Sequence, residues 1–292
     1  MNGLVAVDMH VHLADARARS FNVARKQAMA AYLGTERPTV PVADLAAVYR
    51  ERRMMAVIMN TTDTARTGEP SLPNDYVAEV VAAHPDVFLG FGAVDPLLGA
   101  AAVDEAVRCQ EELGLVGIGE LNAARQHFRP DDPALRPLWS TLEERGMPVL
   151  FHGGYAASGS GTPGGSGVKL RYARPVYLDD VAAEHPRLRI VCAHPSWPWE
   201  SEALAVAQHK ANVYLDLSGW APKYFSAELV RYVRSRIPGK VLFGTDWPVL
   251  EVDRWMAEFT ALGLPDEVVR RVVLDNALTF LGLDADGRRT GA

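Results

Sequence analysis

The chain has 292 residues, 48% of them hydrophobic, two cysteines and a formal net charge of −6. That length suits one large α/β domain that buries most of its apolar surface without disulfides or a structural metal. The acidic balance, with no basic run, speaks against nucleic acid as a partner, and no apolar segment reaches the ~18 residues of a membrane span.

Short apolar runs alternate with helical patterns from one end to the other. Strands are expected over residues 4–10, 55–59, 87–94, 116–121, 148–152, 189–194, 213–217 and 240–244. Several are continuous apolar runs, the pattern of parallel strands covered on both faces. Helical patterns lie between them over 42–53, 74–83, 100–113, 133–145, 176–184, 200–209, 227–235 and 252–262. Asn74 and Asp75 stand where they can cap the second of these helices, and Ser226 where it can cap the seventh. Segment 266–281 reads as one or two helices closing the underside, and 284–292 as a loose polar tail. Eight strand–helix units joined by right-handed crossovers predict a (β/α)8 TIM barrel, a single domain over 1–292. The first strand–helix turn carries no GxGxxG, so a dinucleotide-binding doubly wound sheet lacks support. Cys109 falls in a helix and Cys192 in a strand, which predicts two buried thiols and suits a reducing cytoplasm. The N-terminus has no basic region followed by an apolar run, so no signal peptide is expected.

Two connections are long. Residues 13–40 follow the first strand as a loop, and 153–175 follow the fifth as a glycine- and serine-rich one. Long loops in a compact domain are usually functional or disordered. The second starts directly after His152. Its backbone N–H groups, with Lys169, Arg171 and Arg174 close by in sequence, suit an anion; a surface insert is the plainer reading.

The ends of the strands carry the chemistry. The first ends in His10-Val11-His12, and residues two apart on a strand face the same way. Alone, such a pair is equally well explained by one core histidine and one loop histidine. But the fourth strand ends in Glu120, the fifth in His152, the sixth in His194 and the eighth in Asp246. Active sites of barrels collect at the C-terminal ends of the strands, and imidazole with carboxylate suits zinc or a similar divalent ion.

This order of residues resembles the amidohydrolase superfamily, whose pattern is His-X-His after strand one, His after strands five and six, and Asp after strand eight. The phrases Asp8-Met9-His10-Val11-His12, Cys192-Ala193-His194-Pro195 and Phe243-Gly244-Thr245-Asp246-Trp247-Pro248 look most like the amidohydrolase-2 group. That group includes aminocarboxymuconate-semialdehyde decarboxylase and related lactonases. The resemblance implies one divalent ion, zinc first among candidates, on His10, His12, His152 and Asp246. It also implies that His194 faces the metal-bound water or binds metal, and that Asp246 takes that water's proton. Glu120 departs from the group's commonest pattern and looks like the bridging glutamate of two-metal members; orienting a ligand histidine is its other reading.

Hydrolases and decarboxylases share this scaffold, so fold alone does not choose the reaction. The short chain and Glu120 favour a hydrolase of a small carboxylated lactone or ester. The alternative is a non-oxidative decarboxylase of a small aromatic or muconate-type acid, and a catalytically dead binding barrel is the third reading. Lys169, Arg171 and Arg174 are the expected carboxylate holders, and Tyr155 and Trp197 the expected aromatic wall. The expected partner is a small molecule. Barrels of this kind are often dimers, so a homodimer is the expected assembly.

Overall fold

The computed structural model describes residues 3–34 and 37–290. Its eight strands are β1 (Ala6–His12), β2 (Met54–Met59), β3 (Phe88–Gly92), β4 (Gly117–Leu121), β5 (Val149–His152), β6 (Ile190–Ala193), β7 (Val213–Asp216) and β8 (Val241–Leu242). Each pairs in parallel with the next in sequence order. The apolar runs follow from this: all six residues of β2 are buried, because helices cover the outer face and the barrel interior fills the inner one. Helix aromatics seat on strand aromatics. Trp139 meets Phe151 edge-on at 5.4 Å between ring centroids, and Trp255 meets Phe243 at 4.5 Å. Among the described residues no helix is long and apolar enough to cross a membrane.

The barrel closes between its first and last strands. Met9 donates to the Phe243 carbonyl at 2.9 Å, Asp246 to that of His10 at 2.8 Å, and His12 to that of Trp247 at 2.9 Å. Buried Asp8 reinforces this seam. Its carboxylate accepts from the Thr245 hydroxyl at 2.7 Å, the Thr245 N–H at 3.0 Å and the Tyr49 hydroxyl at 2.8 Å. The first strand begins two residues later than expected and runs on through His12, so both histidines lie within it, His10 at a register shift between Asp8 and Val11.

Two local expectations are corrected. Asn74 does not cap its helix: its side chain bridges the Ala93 N–H at 2.7 Å and the Ala93 carbonyl at 2.9 Å, tying the helix to the end of β3, while Asp75 pairs with Arg108. Ser226 caps as expected, accepting from the Leu229 N–H at 3.0 Å. The connection after β1 is not a plain loop. It holds α1 (Ala16–Arg19), capped by Asp15, and α2 (Val23–Leu33). The alanine-rich α2 is a good helix former, but it has too few large apolar residues for a visible stripe. The glycine-rich connection after β5 is pinned to its surroundings. Gly154 donates to the Ala173 carbonyl at 2.8 Å, Lys169 to that of Ala124 at 3.0 Å, and the His127 ring to that of Gly167 at 2.6 Å. At the C-terminal end, Asp284 donates to the Arg288 carbonyl and Thr290 to that of Gly282, both at 2.8 Å; residues 291 and 292 lie outside the described residues.

Cys109 and Cys192 are free and buried, and burial pushes each thiol up to about 12. The native protein should leave both unmodified by a thiol-reactive dye at pH 8 and expose both in denaturant; rapid native labelling would contradict their burial. Asp8→Ala should cost about 3 kcal/mol, because it strands the donors of Tyr49 and Thr245 in the core. A lowered urea midpoint with unchanged slope checks it.

Candidate active site

His10 and His12 leave β1 on one face, their ring centroids 5.1 Å apart and their Nε2 atoms 3.2 Å apart. Two nitrogens held at ~2.1 Å by one ion stand about 3.0–3.4 Å apart at tetrahedral or octahedral angles, so this pair is spaced as ligands of one ion. Asp246 Oδ1 lies 3.3 Å from His12 Nε2 and 3.8 Å from His10 Nε2. Glu120 Oε2 lies 3.6 and 4.0 Å from the same nitrogens. Donor atoms of His10, His12 and Asp246 all fall within 4.8 Å of one another, and so do those of His10, Glu120 and His194. His152 belongs to neither group. Its Nδ1 meets Glu120 Oε1 at 2.5 Å and His194 Nε2 at 3.0 Å. Glu120 therefore spans the cluster, one oxygen towards the β1 histidines and the other towards His152.

Each histidine is turned by an acceptor on its outer side. His10 Nδ1 meets Asp216 Oδ2 at 2.8 Å, and His12 Nδ1 the Met59 carbonyl at 3.2 Å. His152 Nε2 meets the Tyr155 carbonyl at 3.2 Å, and His194 Nδ1 that of Ser218 at 3.0 Å. Carbonyls only accept, so these outer nitrogens carry the hydrogens and the inner ones turn lone pairs into the cluster. Facing lone pairs repel unless a cation or a proton lies between them. The donor set therefore fits a divalent ion, with the carboxylate–histidine arrangement that orients metal ligands.

The electrostatics agree with a cation site. Burial works against a charged His10 imidazole, but the Asp216 hydrogen bond and the charges of Asp216, Asp246 and Glu120 push it up to about 10. Burial opposes ionisation of Glu120, yet His152, His194 and His10 hold it well below the usual carboxylate range. Burial likewise opposes ionisation of Asp246, and His12, His10 and His194 hold it down. Burial lowers His194, and Glu120 and Asp246 more than reverse this. His194 and Asp246 also adopt left-handed backbone, φ 67° and 55°, a conformation that non-glycine residues keep only where the surroundings enforce it. Gly219 gives the two side chains room: a Cβ there would stand 2.8 Å from His194 Nδ1 and 3.1 Å from Asp246 Oδ2.

The cluster opens into a cavity of about 240 Å³ roofed by α1, α2 and the connection around them. His12, Glu120, His152, His194 and Asp246 line it, together with Arg19, Arg25, Lys26, Arg37 and Arg125. Among the described residues, every charged lining residue outside the cluster is cationic. The expected substrate contacts lie elsewhere. Arg174 pairs with Glu202, Arg171 stacks on Tyr172 at 4.9 Å, and Lys169 is exposed. The Tyr155 hydroxyl turns to Ser160 and only its backbone carbonyl serves the cluster, while Trp197 is 55% exposed. Besides the five cations, sequence reasoning missed Asp216 and Ser218, whose hydroxyl donates to Asp216 at 2.8 Å. The strand-end rule that found His152 would also have found Asp216, the last residue of β7.

A barrel with imidazoles and carboxylates gathered at the C-terminal ends of β1, β4, β5, β6 and β8 is the architecture of a metal-dependent enzyme. The amidohydrolase family model matches residues 7–283, and the chain belongs to that family, in its amidohydrolase-2 group, whose members are metal-dependent enzymes. Gamma-resorcylate decarboxylase of Rhodococcus jostii is 25% identical over 251 residues, covering 72% of this chain and 75% of that protein. Among solved structures, an uncharacterised TIM-barrel protein from Bordetella bronchiseptica superposes with a TM-score of 0.75 at 21% identity, over 97% of this chain and 99% of that one. A dihydroxybenzoic acid decarboxylase from Polaromonas, solved with manganese and the inhibitor 2-nitroresorcinol, gives 0.66 at 18% identity, over 96% and 97%.

Asp216→Asn should weaken divalent-ion affinity ~10–100-fold, because His10 then loses the carboxylate that fixes its tautomer. Titration calorimetry with manganese or zinc measures this; an unchanged affinity would show that His10 needs no such partner.

Proposed function

We propose that this enzyme is a metal-dependent, non-oxidative decarboxylase of a small aromatic or muconate-type carboxylic acid. One observation carries the reading: a small cavity, whose charged lining outside the donor cluster is all cationic among the described residues, opens directly onto that cluster. Such a cavity takes an anion. At about 240 Å³ it lies below the ~300–1,000 Å³ usual for drug-sized ligands, so the anion is small. The relative in Rhodococcus jostii, aligned over three quarters of its length, supports decarboxylation over the hydrolysis that chain length and Glu120 favoured.

A divalent ion, manganese or zinc, held by His10, His12 and Asp246 with Glu120 or His152, would supply an electrophilic anchor for the substrate's oxygens. The chain's own residues do the rest. The bond from the ring carbon to the carboxylate carbon breaks, its electron pair stays on the ring carbon, and CO₂ leaves. One proton then closes that carbon. His194 is the group suited to deliver it. Its Nδ1 is fixed on the Ser218 carbonyl, its Nε2 faces inward, and Glu120 and Asp246 favour its protonated form. Asp246 stands beside His194, both side chains bordering Gly219, where it can orient the acid. The roof formed by α1 and α2 narrows the approach of bulk water to the carbanion-like carbon.

The test is turnover of 2,6-dihydroxybenzoate and related acids in D₂O, followed by mass. A product lighter by CO₂, with deuterium on the carbon that lost it, is expected; gain of one water would return the reading to hydrolysis. His194→Asn should lower kcat by ~10²–10⁴ while bound metal stays unchanged. Loss of the metal instead would make His194 a ligand.

A further inference from the structure

Asp63 follows β2 and is 1% exposed, yet three arginines converge on it. Arg25 of α2 reaches Oδ1 at 2.9 Å, Arg125 reaches the same oxygen at 3.1 Å, and Arg66 reaches Oδ2 at 3.0 Å. One carboxylate balances one of three charges. A neighbouring acid, Asp95, feels the charge of Arg66 but spends its oxygens on the Ala65 and Leu97 N–H groups and makes no ion pair with a guanidinium among the described residues. Arg125 is the most enclosed of the three, its side chain 7% exposed. Its Nη1 donates to the Thr61 hydroxyl at 2.8 Å, but its Nε is buried without a partner. Burying surplus charge and an unmet donor is costly unless a ligand completes the set. Arg25 and Arg125 both line the active-site cavity. The neighbouring cations show the same shortage of anions. Burial, with the charges of Arg19 and Arg25 added, brings the Lys26 ammonium down to about 8.

We infer that Arg25 and Arg125, held in place by Asp63, bind a second carboxylate of the substrate, distinct from the one presented to the donor cluster, so that the substrate is a small dicarboxylate. The inference deepens the decarboxylase reading and rests on it for which carboxylate is lost. Two guanidiniums on a shared carboxylate form a preorganised fork, the geometry that takes a planar carboxylate through paired hydrogen bonds. Asp63 is a positioning residue. It touches no substrate, and its work is to stop two like charges from swinging apart.

Equilibrium binding tests this without turnover. Benzene-1,3-dicarboxylate and benzoate are titrated into the metal-loaded protein by calorimetry. The dicarboxylate should bind at least ~10-fold more tightly, as one charge-assisted contact requires. Arg125→Met should remove most of that advantage, lowering dicarboxylate affinity at least ~10-fold more than benzoate affinity. Arg25→Met, at a more exposed position, serves as a second variant should the first fail to fold. Asp63→Asn should reduce the advantage in part. Equal wild-type affinity for the two acids would overturn the inference. So would variants that lower the melting temperature but keep the ratio, since the arginines would then only hold α2 on the barrel. Failure to release CO₂ from any acid would sink the decarboxylase reading and leave this ratio to be judged by itself.

Discussion

The seam between β1 and β8 is the constraint on which the rest depends. Its hydrogen bonds close the barrel, and the same backbone carries His10, His12 and Asp246. Asp246 donates its N–H to the carbonyl of His10 while its carboxylate faces His12 across 3.3 Å. A slip of one residue at this seam would turn every side chain of β1 to the opposite face, so register and donor geometry are one property. Asp8, locked to Thr245 and Tyr49, guards that register from within.

From the seam outward the site is built in layers of decreasing rigidity. The inner donors stand on strands or within four residues of a strand's end. The groups that turn them, Asp216, Ser218 and the Met59 carbonyl, stand at strand ends. The cations that line the cavity stand on α2, on the segments flanking it and on the turn after β4. Geometry that must be held to a few tenths of an ångström is thus assigned to the sheet. The far wall of the cavity is assigned to connections, which can differ between relatives without disturbing the barrel.

How much of this the sequence disclosed follows the range of the interactions. The eight strands were legible because parallel strands buried on both faces read as apolar runs. His10 and His12 were legible because a period of two places them together, and His152, His194 and Asp246 because each ends such a run. Arg25 and Arg125 were not. They belong to a helix and a turn without a motif, and only Asp63, 38 and 62 residues away in sequence, brings them into one place. Arg171 and Arg174 show the converse. They are close to His152 along the chain, but the short turns of that connection carry them outward to Tyr172 and Glu202. Asn74 had the right residue type for a cap, yet the end of β3 offered it better-matched partners.

The seam also sets an order of events. Asp8 and Thr245, which it joins, are 237 residues apart, so the donors of β1 emerge from a ribosome long before Asp246 does. Until the eighth strand docks, His10 and His12 are an isolated pair of imidazoles with little hold on any ion. An ion clasped between the two ends of the chain would then act as a latch, set last and adding its binding energy to the closed barrel. Acquisition of the ion would thus report that the whole barrel has folded.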